Sequence, residues 1–175
     1  MKEIAIILGS CRKSGNTSNC AEQLSKELNL PTKIYNLLDY DISYFDYQHL
    51  NMEDGFIKLC EELAEYSDLV FATPVYWYSM SAPMKTFFDR TTDLITIRKD
   101  LGRSLKGKKT WLLASGTDKT LPQGFEVPFK LTSKYFDMNY SGSLFCPMQK
   151  GAEKKGISDK TKRKMKDFAK ELATD

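Results

Sequence analysis

The run Glu3-Ile4-Ala5-Ile6-Ile7-Leu8, closed by Gly9, is apolar at almost every position rather than at every second one. A strand written this way is buried on both faces, and that happens where helices cover a parallel sheet from both sides. The same kind of run returns at Leu69-Val70-Phe71-Ala72-Thr73, stopped by Pro74, and at Trp111-Leu112-Leu113-Ala114-Ser115, ended by Gly116. Weaker strands fit near Lys33 to Asn36, after Pro31, and around Asn139 to Leu144.

Helical spacing fills most of the intervals. Thr17 to Leu28 is one such stretch, and Asp54 to Tyr66 is another, with Phe56, Leu59 and Leu63 on one face. Ser81 is placed to cap a third helix with Pro83 in its first turn, where a missing N–H costs nothing. Its apolar side is read as Met84, Phe87, Phe88, Thr91 and Ile95. Further helices are expected from about Gln123 to Tyr135 and from about Ser158 to Ala173. Leu38 to Met52 holds acids and aromatics without a clean period and is read as loop. Alternation of strand and helix predicts an α/β fold, with residues 1–175 as one domain. In such sheets ligands sit beyond the carboxyl ends of the strands, so the loops after strands one, three and four are the places to look.

Composition narrows the class. Ten Phe, nine Tyr and two Trp in 175 residues exclude disorder of the whole chain. Net charge is 26 − 23 = +3, too small to imply a nucleic-acid or membrane partner. Cys11, Cys20, Cys60 and Cys146 form no CxxC pair and His49 is the single histidine, a spacing that offers no zinc or iron–sulfur ligand set. They read as free thiols of a cytoplasmic protein. The longest uncharged stretch, Leu69 to Met84, contains Pro74 and Pro83 and falls short of the roughly 20 residues a membrane helix needs.

The loop after the first strand, Gly9-Ser10-Cys11-Arg12-Lys13-Ser14-Gly15-Asn16-Thr17-Ser18, opens a helix. Helix starts present unpaired N–H groups and suit a phosphate. Ser10, Ser14, Asn16 and Thr17 offer hydrogen bonds, and Arg12 a positive charge. A capped helix start alone needs one hydroxyl, whereas Ser10, Ser14, Thr17 and Ser18 supply more. Asn16 stands where a Walker A loop has lysine, and the GxGxxG fingerprint is absent. A phosphatase loop built on Cys11 would want arginine six positions on, and that position is Thr17. A terminal monophosphate bound without metal is what remains.

After the third strand, Thr73 to Pro83 places Tyr76, Trp77 and Tyr78 in succession at the ligand edge, a platform for a planar heterocycle. Pro74 is read as fixing the chain so that N–H groups of Val75 to Tyr78 point at one ligand. The competing reading tucks this loop under a neighbouring subunit, and a homodimer or homotetramer is expected. In the loop after the fourth strand, Gly116 lets the backbone approach a ligand closely.

Gly9 to Ser18 resembles the phosphate loop of the flavodoxin-like NADPH-dependent FMN reductase family, and Thr73 to Arg90 resembles its second signature. The resemblance implies a flavodoxin-like three-layer sandwich with a five-stranded parallel sheet of order 2-1-3-4-5, binding FMN. It implies phosphate contacts from Ser10, Arg12, Ser14, Asn16, Thr17 and Ser18, and ring contacts from Pro74, Val75, Tyr76, Trp77, Ser79 and Met80. Ser115, Gly116, Thr117 and Asp118 would border the ring. One branch of the family carries a cysteine cluster between strands two and three; Cys60 stands alone there, so no iron–sulfur cluster is predicted.

The implied activity is hydride transfer from NADPH or NADH to FMN, then reduction of a small electron acceptor such as a flavin or quinone. That first half-reaction asks for no catalytic acid or base. His49 is read as a surface residue, and Lys85, Asp89 and Arg90 as structural or interface residues. Rival readings are a flavodoxin-type electron carrier, which a charge of +3 disfavours, a non-catalytic FMN-binding protein, and a low-molecular-weight tyrosine phosphatase. Residues 150–175 carry nine basic and five acidic side chains, and Arg98-Lys99 with Arg103 to Lys109 form a second basic patch. Either offers charge to the 2′-phosphate of NADPH or to a nucleic acid, but charge runs are usually solvated faces, and both are read so, with no residue assigned to NADPH.

Overall fold

Ile4–Leu8 (β1) is buried at every position and pairs in parallel with Thr32–Asn36 (β2) on one side and Asp68–Pro74 (β3) on the other. Lys109–Gly116 (β4) and Asn139–Pro147 (β5) complete a parallel sheet of order β2-β1-β3-β4-β5, the order expected. The structure is a computed structural model and describes residues 2–148 and 156–174. Residues 149–155 lie outside it, so the basic tail is described only in part.

The strand pleat sorts the core into two layers. Ile4, Ile6, Leu8, Val70, Trp111 and Leu113 face Asn16–Leu28 (α1) and Asp159–Ala173 (α7). Ala5, Ile7, Phe71 and Leu112 face the other way, onto Gly55–Ala64 (α2), Ala82–Arg90 (α3) and Val127–Tyr135 (α6). Phe71 sits among Phe87, Phe88 and Phe129 at ring-centroid distances of 5.0–6.5 Å. The Phe71–Phe88 pair is edge-to-face, a geometry that adds about 0.5–1.5 kcal/mol beyond the area it buries. Asp54 caps α2 by accepting from the Phe56 N–H at 3.0 Å, and Ser81 caps α3 with Pro83 in the first turn, as its sequence predicts. Cys11 is exposed, Cys20, Cys60 and Cys146 are buried, and all four are free thiols. No helix among the described residues is long and apolar enough to cross a membrane.

Several expectations need correction. Helix α3 stops at Arg90 instead of running on to Ile95, and a short helix, Asp93–Thr96 (α4), follows. Ile95 is 37% exposed and leaves the core. The break at Thr91-Thr92 lets Asp93 turn back onto Arg90. Lys99–Ser104 (α5) occupies part of the stretch read only as basic. Gly102 permits its close crossing over α4, since a Cβ there would lie 2.2 Å from the Leu94 carbonyl oxygen. Helix α6 begins at Val127, not Gln123, because Gly124 turns the chain with φ +81°. Strand β5 runs on to Pro147.

The irregular segment before α2 is held by an ionic cluster. Arg90 is fully buried; its Nε donates to Asp93 at 2.7 Å, and its Nη atoms donate to the Asp54 carboxylate and to the carbonyls of Ser43 and Asn51. His49 is not a free surface residue. Its Nδ1 lies 2.9 Å from Asp93 Oδ1, with a left-handed backbone at φ 55°.

Candidate functional site

The C-terminal ends of β1, β3 and β4 open into a cleft of about 250 Å³. Gly9 begins its first wall. A Cβ on Gly9 would lie 2.7 Å from Met84 Cβ, so the loop is pressed directly onto the start of α3. Ser81 locks this corner: its Oγ donates to the Gly9 carbonyl at 2.6 Å, and its N–H donates to Thr73 Oγ1 at 3.1 Å. The wall is therefore held by the ends of three elements, not by the loop alone.

Ser10, Arg12, Asn16 and Thr17 line this side. Ser10 Oγ accepts from the Arg12 N–H at 3.3 Å. Thr17 Oγ1 and Ser115 Oγ are 2.7 Å apart, tying α1 to β4 across the cleft floor. Ser18 does not line the cleft; its Oγ accepts from the Gly15 N–H and donates to the Gly15 carbonyl. Ser14 is exposed on the rim. The hydroxyls counted in the sequence thus divide: Ser18 is turned onto Gly15, while Thr17 and Ser115 share one bond at the cleft floor and keep one hydroxyl proton between them. At the start of α1, the N–H groups of Asn16 and Thr17 have no acceptor among the described residues. Helix starts supply such donors by construction.

Pro74, Val75 and Tyr76 form the opposite wall. Here the expected aim of the backbone is corrected. The Val75 N–H donates to the Ser115 carbonyl at 2.7 Å, and the Tyr76 N–H donates to the Ser79 carbonyl at 2.9 Å. The Ser79 N–H returns a bond to Tyr76 at 3.0 Å, closing a two-residue hairpin. Its central residues are left-handed, Trp77 at φ 48° and Tyr78 at φ 65°, a conformation such hairpins require and bulky side chains resist. Trp77 is 92% exposed, and Trp77, Tyr78 and Ser79 stand off the cleft lining. Met80 is buried in the core.

Ser115, Gly116 and Thr117 supply the third side, while Asp118 stands beyond it, exposed. A Cβ on Gly116 would come within 3.3 Å of both Val75 and Phe145. Met148 also lines the cleft, drawn in by its N–H bond to the Gly116 carbonyl at 2.7 Å. It lies just past Pro147, and reading β5 to its true end would have found it.

Among the described residues that line the cleft none is aspartate, glutamate or histidine. One end offers hydroxyls, an amide, a guanidinium and free helix-start N–H groups, the donor set for an anion. The other offers the flat apolar surfaces of Pro74, Val75, Tyr76 and Met148. A monophosphate with a planar ring fits both ends. Cys11 is outside the lining, which leaves a phosphatase reading without its nucleophile in the cleft.

The NADPH-dependent FMN reductase family model matches residues 2–140. A protein of Bacillus subtilis (strain 168) named as an NAD(P)H-dependent FMN-containing oxidoreductase, YwqN, is 27% identical over 150 residues, covering 80% of this chain and 82% of that one. Among solved structures, the Trp repressor binding protein from Bacillus subtilis superposes with TM-score 0.70 at 23% identity, over 98% of this chain and 97% of that one. The apo form of the NADH:FMN oxidoreductase EMOB gives TM-score 0.69 at 16% identity, over 100% of this chain and 91% of that one. At these identities the structural likenesses speak for the fold.

Proposed function

Because this chain belongs to the NADPH-dependent FMN reductase family, we infer that it is an FMN-dependent oxidoreductase that takes hydride from NADPH or NADH. The observation that carries this reading is the cleft itself, which joins an anion-binding end to an apolar wall. Ser10, Arg12, Asn16 and the helix-start N–H groups hold the phosphate. Pro74, Val75, Tyr76 and Met148 hold the ring, with the backbone of Gly116 and Thr117 along its edge. Ser18 acts one step back by closing Gly15 onto α1. Ser14, Trp77, Ser79, Met80 and Asp118 belong to the surround of the site.

FMN, when bound, supplies the hydride-accepting chemistry, and the protein supplies position and electrostatics. Hydride transfer to a bound flavin asks for no side chain that cycles a proton. Small acceptors such as flavins or quinones fit a shallow site open to solvent. The whole chain, residues 1–175, acts as a single FMN-binding domain in the cytoplasm. Exposed Tyr76, Trp77 and Tyr78 suit burial in a homodimer or homotetramer.

The test is spectroscopic. The purified protein is titrated with FMN, then reduced without air by NADPH or NADH while the visible flavin band is followed. Bleaching by a nicotinamide is the expected result. A protein that takes up no FMN, or whose bound FMN neither nicotinamide bleaches, overturns the reading.

A further inference from the structure

A second groove, of about 450 Å³, runs between β5 and α7 beside the cleft. Its position follows from how α7 is tied down. Lys2 Nζ and Lys109 Nζ both donate to the Thr174 carbonyl, which places the C-terminal end of α7 at the N-terminal ends of β1 and β4. The start of α7 therefore lies at the opposite sheet edge, where the cleft opens. The loop after β4 is shared, with Ser115 to Thr117 lining the cleft and Lys119 and Thr120 lining the groove.

Charge is unevenly placed along this groove. Lys119, Lys160 and Lys164 line it, contributed by two separate elements, and none forms an ion pair among the described residues. Lys162 and Lys170 of the same helix, by contrast, pair with Asp159 at 3.7 Å and Asp167 at 3.5 Å. The acids that line the groove, Asp167 and Glu171, come later in α7. Asp167, three residues on from Lys164, is paired with Lys170 at 3.5 Å, and at about 1.5 Å rise per residue Glu171 is roughly 16 Å along the axis from Lys160, more than a Debye length in physiological salt. The cleft-side end is thus cationic and the far end acidic, with Phe145 and Phe168 contributing apolar surface between them.

We propose that this groove seats the adenosine 2′-phosphate of NADPH, with Lys119, Lys160 and Lys164 selecting NADPH over NADH. The proposal rests on the flavin reading of the adjoining cleft, which takes the nicotinamide end of the same molecule. A phosphomonoester dianion on a ribose is the group the three ammonium ions recognise. NADH carries a hydroxyl in its place and gains nothing from them.

The test combines kinetics with direct binding. In the FMN-loaded protein, the double variant Lys160→Gln/Lys164→Gln should lower the NADPH-to-NADH ratio of kcat/KM by about tenfold or more, through the KM for NADPH. In calorimetry without any nicotinamide, 2′,5′-ADP should bind the unaltered protein more tightly than 5′-AMP or inorganic phosphate, and the variant should lose that preference. Wild-type protein that prefers NADH, a variant whose ratio is unchanged, or 2′,5′-ADP binding no tighter than inorganic phosphate would each overturn the assignment. If the protein takes no FMN yet binds 2′,5′-ADP through these lysines, the groove stands as a phosphonucleotide site and the flavin reading alone fails.

Discussion

Helix α3 carries a polar cluster at each end, and the two obey opposite logic. Beyond its C-terminal end the Arg90 guanidinium is closed off, every donor spent on Asp54, Asp93 and two backbone carbonyls, with His49 seated against Asp93. Beside its N-terminal end, Ser81 secures the loop of Gly9, yet the neighbouring cleft leaves donors at the start of α1 facing outward. A cluster with all its partners inside holds the chain together and has nothing left for a ligand. A cluster with donors to spare binds, and stability must come from around it.

The contrast breaks most visibly at Arg90. Arg90→Met leaves two carboxylates buried without their cation, and breaking a buried pair this way costs about 3–5 kcal/mol. Urea unfolding should show that loss, while the fraction that remains folded keeps its affinity for FMN. Arg90→Lys should recover only part of it, because one ammonium cannot reach both carboxylates in the same fork. A loss under about 1 kcal/mol would mean that the two carboxylates find water or other partners and the cluster is not closed.

Acid should produce a smaller version of the same effect. Burial alone would raise the Asp54 carboxyl, but the Arg90 guanidinium and the N–H groups of Phe56 and Ser43 outweigh it and hold the pKa below the ordinary 3.8. The unfolded chain then takes up the proton more readily than the folded one. Stability from this group is complete above the ordinary value and is lost as the pH falls through the lower folded value. Unfolding midpoints measured from about pH 5 down to about pH 2 should decline, and Arg90→Met should flatten that decline.

At the open cluster the expected effect is on binding. Asn16→Asp sets a negative charge at the phosphate end, and FMN affinity should fall about tenfold or more, the equivalent of about 1.4 kcal/mol. Stability should stay within about 0.5 kcal/mol of wild type, since an acid in the first turn of a helix is tolerated or favoured. A fluorescence titration with unchanged affinity would remove Asn16 from the phosphate site.

The same contrast explains what could be read beforehand. Strands β1, β3 and β4 were legible because burial on both faces writes a continuous apolar run, and the start of α3 because Ser81 and Pro83 act within one turn of chain. The Arg90 cluster was not. Its partner Asp54 is 36 residues away, and the carbonyls of Ser43 and Asn51 come from a segment with no period to mark it. Which hydroxyls of the first loop also bond inside the protein was not legible for a related reason. Thr17 meets Ser115 across 98 residues, and nothing local in the sequence distinguishes a hydroxyl used inside from one left facing out. Backbone donors misled in the same way: Pro74 marks the end of β3, but the hairpin that consumes the Tyr76 N–H depends on left-handed residues that tryptophan and tyrosine seldom adopt.

That hairpin offers the finest test of the comparison. A bulky residue in the left-handed region costs on the order of 1 kcal/mol, which glycine escapes. Glycine in turn gives the unfolded chain about 0.5–1 kcal/mol more conformational freedom. Trp77 is 92% exposed, so little packing within its own subunit is lost. The terms nearly cancel, and Trp77→Gly should leave the unfolding free energy of the isolated subunit within about 0.5 kcal/mol of wild type. If the aromatic tip is covered by a second subunit, sedimentation of the variant should shift toward the monomer while its stability at low concentration holds. Loss of more than about 1 kcal/mol in the monomer would show that Trp77 supports its own fold, and would place the hairpin with Arg90 among the closed, stabilising parts of the molecule.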